Sequence, residues 1–176
     1  MIRFVYMLIA CSMGISLAAS PVTNDASQAG GKEVLKVEIT EGQIDVISGV
    51  VYSQTPLLRA NRALKMTLLI PRTKELKPAV VFYPGGGFTS AAHERYFEMR
   101  MALAKAGFVV AAAEYRVVPD KYPALVVDAK AAVRFLRAHA GELGIDASRI
   151  GVLGDSAGGY VAQMMGTTNG EKQFDQ

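Results

Sequence analysis

Residues 149–159 constrain the fold more than any other part of the sequence. They read RIGVLGDSAGG, so an apolar stretch leads directly into a Gly-x-Ser-x-Gly pattern centred on Ser156. The pattern is typical of a sharp turn between a strand and a helix, in which glycines two positions before and after the serine avoid a collision with neighbouring backbone. We therefore predict a buried strand, a tight turn that exposes the Ser156 hydroxyl at the edge of a sheet, and a helix behind it.

Apolar runs and helical periodicity alternate along the sequence before this turn. The runs 79–83 and 108–113 are apolar on both faces, as expected of central strands covered by helices on each side. Helical periodicity follows over 94–106, after Pro123 to about residue 140, and again over 156–167. The alternation predicts an α/β fold, with a mostly parallel sheet and helices on both of its faces.

A different pattern precedes the parallel part. Residues 35–53 alternate apolar and polar side chains around Glu41 and Gly42, which predicts an antiparallel N-terminal hairpin at a sheet edge. Residues 63–70 predict one further strand, which ends at Pro71.

The first twenty residues have the pattern of a signal peptide. Arg3 precedes an apolar run over 4–17, which small residues follow. The run is too short for a stable membrane span, so we expect export to the periplasm or secretion. Lipidation at Cys11 and a buried N-terminal helix are the alternatives. The polar residues 21–33 are predicted to be a flexible spacer, and 34–176 to be the folded domain.

Charge and cysteine content exclude several kinds of site. The 19 basic and 16 acidic residues are scattered, without the cluster of lysine and arginine that binds nucleic acid. A single cysteine excludes an internal disulfide and any zinc site built on Cys-x-x-Cys, and two histidines leave no visible metal site. We therefore predict no metal, no cofactor and no nucleic acid partner. The sequence leaves the oligomeric state open.

A second glycine motif lies where the first apolar strand ends. Pro84 is followed by three glycines and Phe88, and both this loop and the serine turn leave their strands at the carboxyl edge of the sheet, where ligands of α/β sheets bind. We expect the backbone N–H groups of Gly86, Gly87 and Ala157 to converge on a substrate carbonyl oxygen that Ser156 attacks.

The base that such a serine needs is harder to locate. His139 lies near the end of the helix that follows Pro123, about 24 Å from the serine edge by helix length. His93 follows the glycine loop on the correct edge and is the one candidate, but nothing in the sequence orients it. Asp155 and Asp128 are predicted to be structural, with Asp128 bracing the loop of Arg116.

Taken together, these motifs resemble the α/β-hydrolase superfamily. The chain is similar to the N-terminal portion of its esterase and lipase branch, which includes hormone-sensitive-lipase-like carboxylesterases and bacterial feruloyl-esterase-like proteins. The resemblance spans about residues 80–166. Its motifs are PGGGF at 84–88, EYRVVPDKYPA at 114–124, Asp128 with the helix residues after it, and LGIDASRIGVLGDSAGG at 143–159.

The resemblance implies a serine carboxylic ester hydrolase that forms an acyl-enzyme on Ser156, with oxyanion donors at Gly86, Gly87 and Ala157 and a small-molecule ester as substrate. Pro84 departs from the family pattern, because it replaces the histidine of the HGGG form. The acid and the histidine of the family lie after later strands, so the 176-residue chain is predicted to be inactive by itself. A non-catalytic binding protein, and a peptidase or lipase of the same fold, remain as alternatives.

Overall fold

The computed structural model describes residues 42–56 and 61–174. The predicted signal peptide with Cys11, the spacer at 21–33 and the first half of the predicted hairpin lie outside the described residues, and they stay predictions. Among the described helices, none is long and apolar enough to cross a membrane.

Five strands form one mixed sheet in the order β1-β2-β4-β3-β5. β3 lies between β4 and β5 and is parallel to both, whereas β2 is antiparallel to β4 and to β1. The predicted α/β class, with parallel central strands and an antiparallel N-terminal part, is confirmed. The strands are β1 Ile44–Pro56, β2 Asn61–Pro71, β3 Lys77–Tyr83, β4 Val109–Ala113 and β5 Ile145–Gly154.

The structure adds one antiparallel pairing that the sequence did not predict. Within the described residues β1 pairs with β2, so the observed hairpin joins the predicted strand at 63–70 to the strand before it. Strand β1 runs as far as Pro56 and pairs with β2 on its C-terminal side. The predicted turn at Glu41 and Gly42 stays a prediction, because its first residue and the strand before it lie outside the described residues.

Helices cover both faces of the sheet, as predicted. The side chain of Val110 in β4 packs with Ala104 of α1 on one face. Its neighbour Ala111 belongs to the cluster that contains Ala132 of α2 and Val161 of α4 on the other face, because successive strand residues point to opposite sides. The helices are α1 Phe97–Lys105, α2 Ala124–Ala138, the short α3 Ala140–Leu143 and α4 Ala157–Thr167, followed by a 3₁₀ turn at Lys172–Phe174.

Two element boundaries differ from the periodicity. Helix α1 starts at Phe97 and not near residue 94, because Tyr96 has the left-handed φ of 56° that ends helical backbone. Strand β5 starts at Ile145, ahead of the apolar residues 150–153 on which its prediction rested, because Ile145 already pairs with Lys77 ahead of an irregularity in the register. Residues 146–149, inside that irregularity, are mostly polar, so the apolar pattern did not indicate where the strand starts. Residues 150–154 are half-buried or exposed, so the prediction of a buried strand before the serine turn is wrong: β5 is an edge strand of this sheet.

The register of β3 and β5 positions the candidate site. Tyr83, the last residue of β3, lies opposite Gly154, the last residue of β5. Since the two strands are parallel, the segments that follow them leave the sheet side by side at the same edge. The glycine loop and the serine turn are therefore neighbours in space.

Candidate active site

The serine turn between β5 and α4 has the strained geometry that the sequence predicted. Ser156 is exposed and has a φ of 49° and a ψ of −119°, a conformation that residues other than glycine rarely adopt. A Cβ added to Gly154 would collide with the carbonyl of Gly158, and one added to Gly158 would collide with the carbonyl of Tyr83. The predicted reason for glycine at both positions is thus confirmed.

The glycine loop passes directly beside this turn. A Cβ added to Gly85 would lie 3.0 Å from the Cβ of Ser156 and 2.8 Å from the carbonyl oxygen of Asp155. A Cβ on Gly86 would collide with the carbonyl of Ser90. The glycines therefore permit a close approach of two backbones, which any side chain would prevent.

Side chains from three other places hold the first residues of the loop. The hydroxyl of Tyr115 donates to the Pro84 carbonyl at 2.7 Å. The N–H of Gly85 donates to Oδ1 of Asp155 at 2.7 Å, and Nη1 of Arg95 donates to the Gly85 carbonyl at 2.6 Å. Three successive polar groups of the backbone are thus fixed before the loop reaches Gly86.

The amide groups predicted to bind an oxyanion lie at this same edge. The Gly86 carbonyl accepts hydrogen bonds from the N–H and the hydroxyl of Thr89. The N–H groups of Gly86 and Gly87 donate to no group in the part of the chain that the structure describes. Ala157 is the first residue of α4, where an N–H has no acceptor inside its own helix. The structure thus brings Gly86, Gly87 and Ala157 to the same edge as Ser156.

An aromatic pair borders the site, and the sequence did not predict a role for it. Phe88, with a φ of 59°, and Tyr160 meet edge to face with ring centroids 5.8 Å apart. The two residues are 39% and 40% exposed. Tyr160 lies one helical turn after Ser156, to whose carbonyl its N–H donates. The spacing of four residues from the serine on a predicted helix was the signal that could have revealed it.

Both histidines bind residues other than Ser156. His93 is 4% exposed, and its Nδ1 shares a hydrogen bond of 2.7 Å with the hydroxyl of Thr67. Its Nε2 lies 3.2 Å from Oε1 of Glu94 and 3.7 Å from Oε1 of Glu114.

His139 lies after the last residue of α2, near the opposite end of the helix from Pro123. Its ring packs on Phe135 with centroids 4.4 Å apart, and its Nδ1 lies 3.3 Å from a carboxylate oxygen of Glu142.

Both aspartates contact backbone and side chains of the surrounding loops. Asp128 accepts hydrogen bonds from the N–H of Arg116 at 2.8 Å and from its guanidinium, as predicted. Asp155 accepts the N–H of Gly85 on one oxygen and the hydroxyl of Tyr96 on the other, at 2.8 Å. This hydrogen bond raises the pKa of Tyr96 above its ordinary value. Among the described residues, no group of three or more metal-ligating side chains is present.

Comparison with known proteins identifies the family. A sequence model of the BD-FAE family matches residues 66–176. Carboxylesterase NlhH of Mycobacterium tuberculosis is 39% identical over 97 residues, which cover 54% of this chain and 30% of that protein. The ethyl acetate hydrolase of Pseudomonas putida is 37% identical over 89 residues, which cover 49% of this chain and 28% of that protein.

Solved esterase structures share the fold. The hyperthermophilic esterase of the archaeon Pyrobaculum calidifontis superposes with a TM-score of 0.61 at 31% identity, over 76% of this chain and 41% of that one. An acetyl ester-xyloside bifunctional hydrolase of Caldicellulosiruptor lactoaceticus gives 0.62 at 31% identity, over 77% and 51%. The chain spans about half or less of the length of these relatives. From the family match and these likenesses, the chain belongs to the BD-FAE family, in the esterase and lipase branch of the α/β-hydrolases.

Proposed function

We propose that this protein is a serine carboxylic ester hydrolase with Ser156 as its nucleophile. Oγ attacks the ester carbonyl carbon while its proton passes to a general base, and the N–H groups of Gly86, Gly87 and Ala157 bind the oxyanion that forms. The carbon–oxygen bond to the alcohol then breaks, the alcohol leaves with the proton, and an acyl-enzyme remains. Water hydrolyses the acyl-enzyme to the acid and the free serine.

One observation carries the proposal: the glycine loop packs against the exposed serine with unpaired amides. Gly85 approaches Ser156 so closely that a Cβ would be only 3.0 Å from the serine Cβ. The next two N–H groups of the loop have no acceptor among the described residues. An oxyanion hole needs donors of this kind, fixed before the reaction and beside the nucleophile. The relatives named for carboxylic ester and ethyl acetate hydrolysis support an ester substrate.

The general base is proposed to be neither His93 nor His139. The nitrogens of His93 face Thr67, Glu94 and Glu114, and a base must reach the hydroxyl proton within hydrogen-bond distance. We infer that the acid and the histidine of the family are not among these 176 residues. The chain by itself is then inactive as an esterase, apart from slight acceleration by the amides.

Labelling with a fluorophosphonate ester tests the nucleophile on the complete product of the gene, where we place the general base that activates Ser156. We expect the label on the peptide that contains Ser156, with loss of labelling in Ser156→Ala. Ser148→Ala, a change at a serine within β5, serves as the matched control and should leave labelling intact.

Two results would contradict parts of the proposal. An unreactive Ser156 in the complete product would favour a non-catalytic binding protein that has kept this fold. Hydrolysis of p-nitrophenyl acetate by the 176-residue chain, lost in His93→Ala, would make His93 the base.

A further inference from the structure

Arg100 is a buried cation whose side-chain hydrogen bonds go to backbone carbonyls. It lies in α1 and is only 1% exposed. Its Nε donates to the Arg95 carbonyl at 2.8 Å and its Nη2 donates to the Glu94 carbonyl at 2.6 Å. Its Nη1 has no hydrogen-bond partner in the part of the chain that the structure describes. Burying a charged group in this way is unfavourable unless its hydrogen bonds stabilise a local structure that a neutral side chain could not stabilise.

The two carbonyls that Arg100 binds belong to the turn just before its own helix. This turn, residues 94–96, ends at Tyr96, whose φ of 56° is left-handed. The N–H of Arg100 also donates to the Tyr96 carbonyl, at 3.1 Å. Arg100 therefore fixes three successive carbonyls of a turn that has unfavourable backbone geometry.

The side chains of the same turn contact the candidate site. Arg95 donates to the Gly85 carbonyl, and the Tyr96 hydroxyl donates to Asp155, which also accepts the N–H of Gly85. The ring of Tyr96 packs edge to face on Phe82 of β3, with centroids 5.6 Å apart. One turn thus holds Gly85 at two points. Arg95 binds its carbonyl directly, and Tyr96 binds Asp155, which accepts its N–H.

We propose that Arg100 is a positioning residue of the glycine loop: by fixing the turn 94–96, it keeps Arg95 and Tyr96 in contact with Gly85 and Asp155. The N–H of Gly86 belongs to the same planar peptide unit as the held Gly85 carbonyl, and the N–H of Gly87 belongs to the next unit, so their direction depends on this contact. The effect of Arg100 on catalysis rests on the proposed function, but its effect on the position of Gly85 can be measured separately.

Amide hydrogen exchange measures the linkage in the intact chain. In Arg100→Met and in Arg95→Met, we expect the N–H of Gly85 to exchange about tenfold faster, while that of Ala111 in the central strand β4 stays within about twofold of its original rate. Arg149→Met is the matched control. This exposed arginine also donates to a backbone carbonyl, that of Leu76, and its loss should leave Gly85 unchanged.

A pair of variants covers the case in which Arg100→Met fails to fold. Arg100→Lys retains the charge and most of the aliphatic stem but cannot bind both carbonyls with the fork of a guanidinium. If Arg100 acts through Arg95, the exchange rate of Gly85 in Arg100→Lys with Arg95→Met equals that in Arg95→Met alone. Additive effects of the two changes, or equal acceleration at Gly85 and Ala111, would overturn the proposal.

The rate of fluorophosphonate labelling, measured on the complete product of the gene with and without each substitution, supplies the catalytic readout. We expect labelling of Ser156 to slow about 10²-fold in Arg100→Lys and Arg95→Met, because the oxyanion donors are misplaced. If the unmodified protein is not labelled at all, the proposed function fails while the exchange test of Arg100 still stands. If labelling is normal in both variants, the positioning role is wrong even where the proposed function holds.

Discussion

The serine turn and the glycine loop lie side by side at one edge of the sheet, yet they are fixed by different means. The serine turn is held by close contacts of backbone on backbone, in which Gly154, Gly158 and the end of β3 leave no room for a Cβ. The glycine loop is held by hydrogen bonds from side chains, and its contact with Asp155 joins residues 70 positions apart in the sequence. The serine turn is thus fixed by steric contacts, and the glycine loop by hydrogen bonds from side chains that are distant in the sequence.

This difference predicts two kinds of response to substitution. A steric contact with backbone has no flexible partner that could move aside, so a single added methyl group is severe. A set of hydrogen bonds weakens in steps, since each bond contributes about 1 kcal/mol and a buried group left unpaired costs about 1–3 kcal/mol. The variants below test this comparison, first in the serine turn and then in the glycine loop.

Gly158→Ala has the largest expected effect. Its Cβ would collide with the Tyr83 carbonyl, and we expect the free energy of unfolding to fall by about 3 kcal/mol or more. Gly159→Ala is the control, because its Cβ meets the Gly154 carbonyl at 3.4 Å and alanine favours a helix, so stability should stay within about 1 kcal/mol. Urea denaturation measures both. Equal stability of the two variants would show that the turn is not sterically fixed.

Asp155→Ala comes next, and it tests the polar fixation of the loop. It leaves the N–H of Gly85 and the hydroxyl of Tyr96 without their acceptor, for an expected loss of about 1–3 kcal/mol. The pKa of Tyr96, which the hydrogen bond to Asp155 raises, should return toward its ordinary value of 10.0. Titration of the tyrosine ring carbons by NMR measures this change. An unchanged Tyr96 titration would contradict the contact.

Tyr115→Phe should have a smaller effect. It removes only the donor to the Pro84 carbonyl, so we expect a loss of about 1–2 kcal/mol in urea denaturation. Burial raises the pKa of Tyr115 to about 12, so its hydroxyl remains a donor at any ordinary pH. In the control Tyr160→Phe, the altered hydroxyl is on a residue that is 40% exposed, and stability should not change. If Tyr115→Phe left the free energy of unfolding unchanged, the hydrogen bond to the Pro84 carbonyl would not stabilise the fold.

The smallest effect is expected at the other end of β5. Hydrogen bonds from Ser148 and Arg149 lower the pKa of the exposed Asp146 carboxyl from 3.8 to about 2. A carboxyl with a lowered folded-state pKa stabilises the fold fully above about pH 4 and loses this contribution as the pH falls toward 2. In Ser148→Ala, the NMR titration midpoint of Asp146 should move up toward 3.8. An unmoved midpoint would show that Ser148 does not bind the carboxylate.

The same contrast explains how much could be predicted from the sequence. The serine turn was predicted with its steric reason, because the pattern that encodes it lies within residues 154–158, although the contact of Gly158 is with Tyr83 of β3. The apolar runs likewise predicted β3 and β4 almost to the residue, because burial on both faces leaves a continuous apolar signal.

The support of the glycine loop could not be predicted. Arg95, Tyr96 and Arg100 lie in a stretch that reads as the start of an ordinary helix, and hydrogen bonds to carbonyls far along the chain leave no periodic pattern. The β1–β2 pairing was missed for a related reason, since the alternation of a strand does not say which neighbour it pairs with.

The antiparallel hairpin acquires a wider significance through His93. This side chain ties the far end of the glycine loop to Thr67 of β2, and the hydroxyl of Thr67 in turn lies 3.2 Å from that of Ser48 in β1. Strands β1 and β2 thus support, through His93, the segment that follows the glycine loop. Changes near residue 50, about a hundred positions from the serine, can therefore alter the position of that segment, and homologues that diverge in the hairpin are expected to diverge in the surface around the serine.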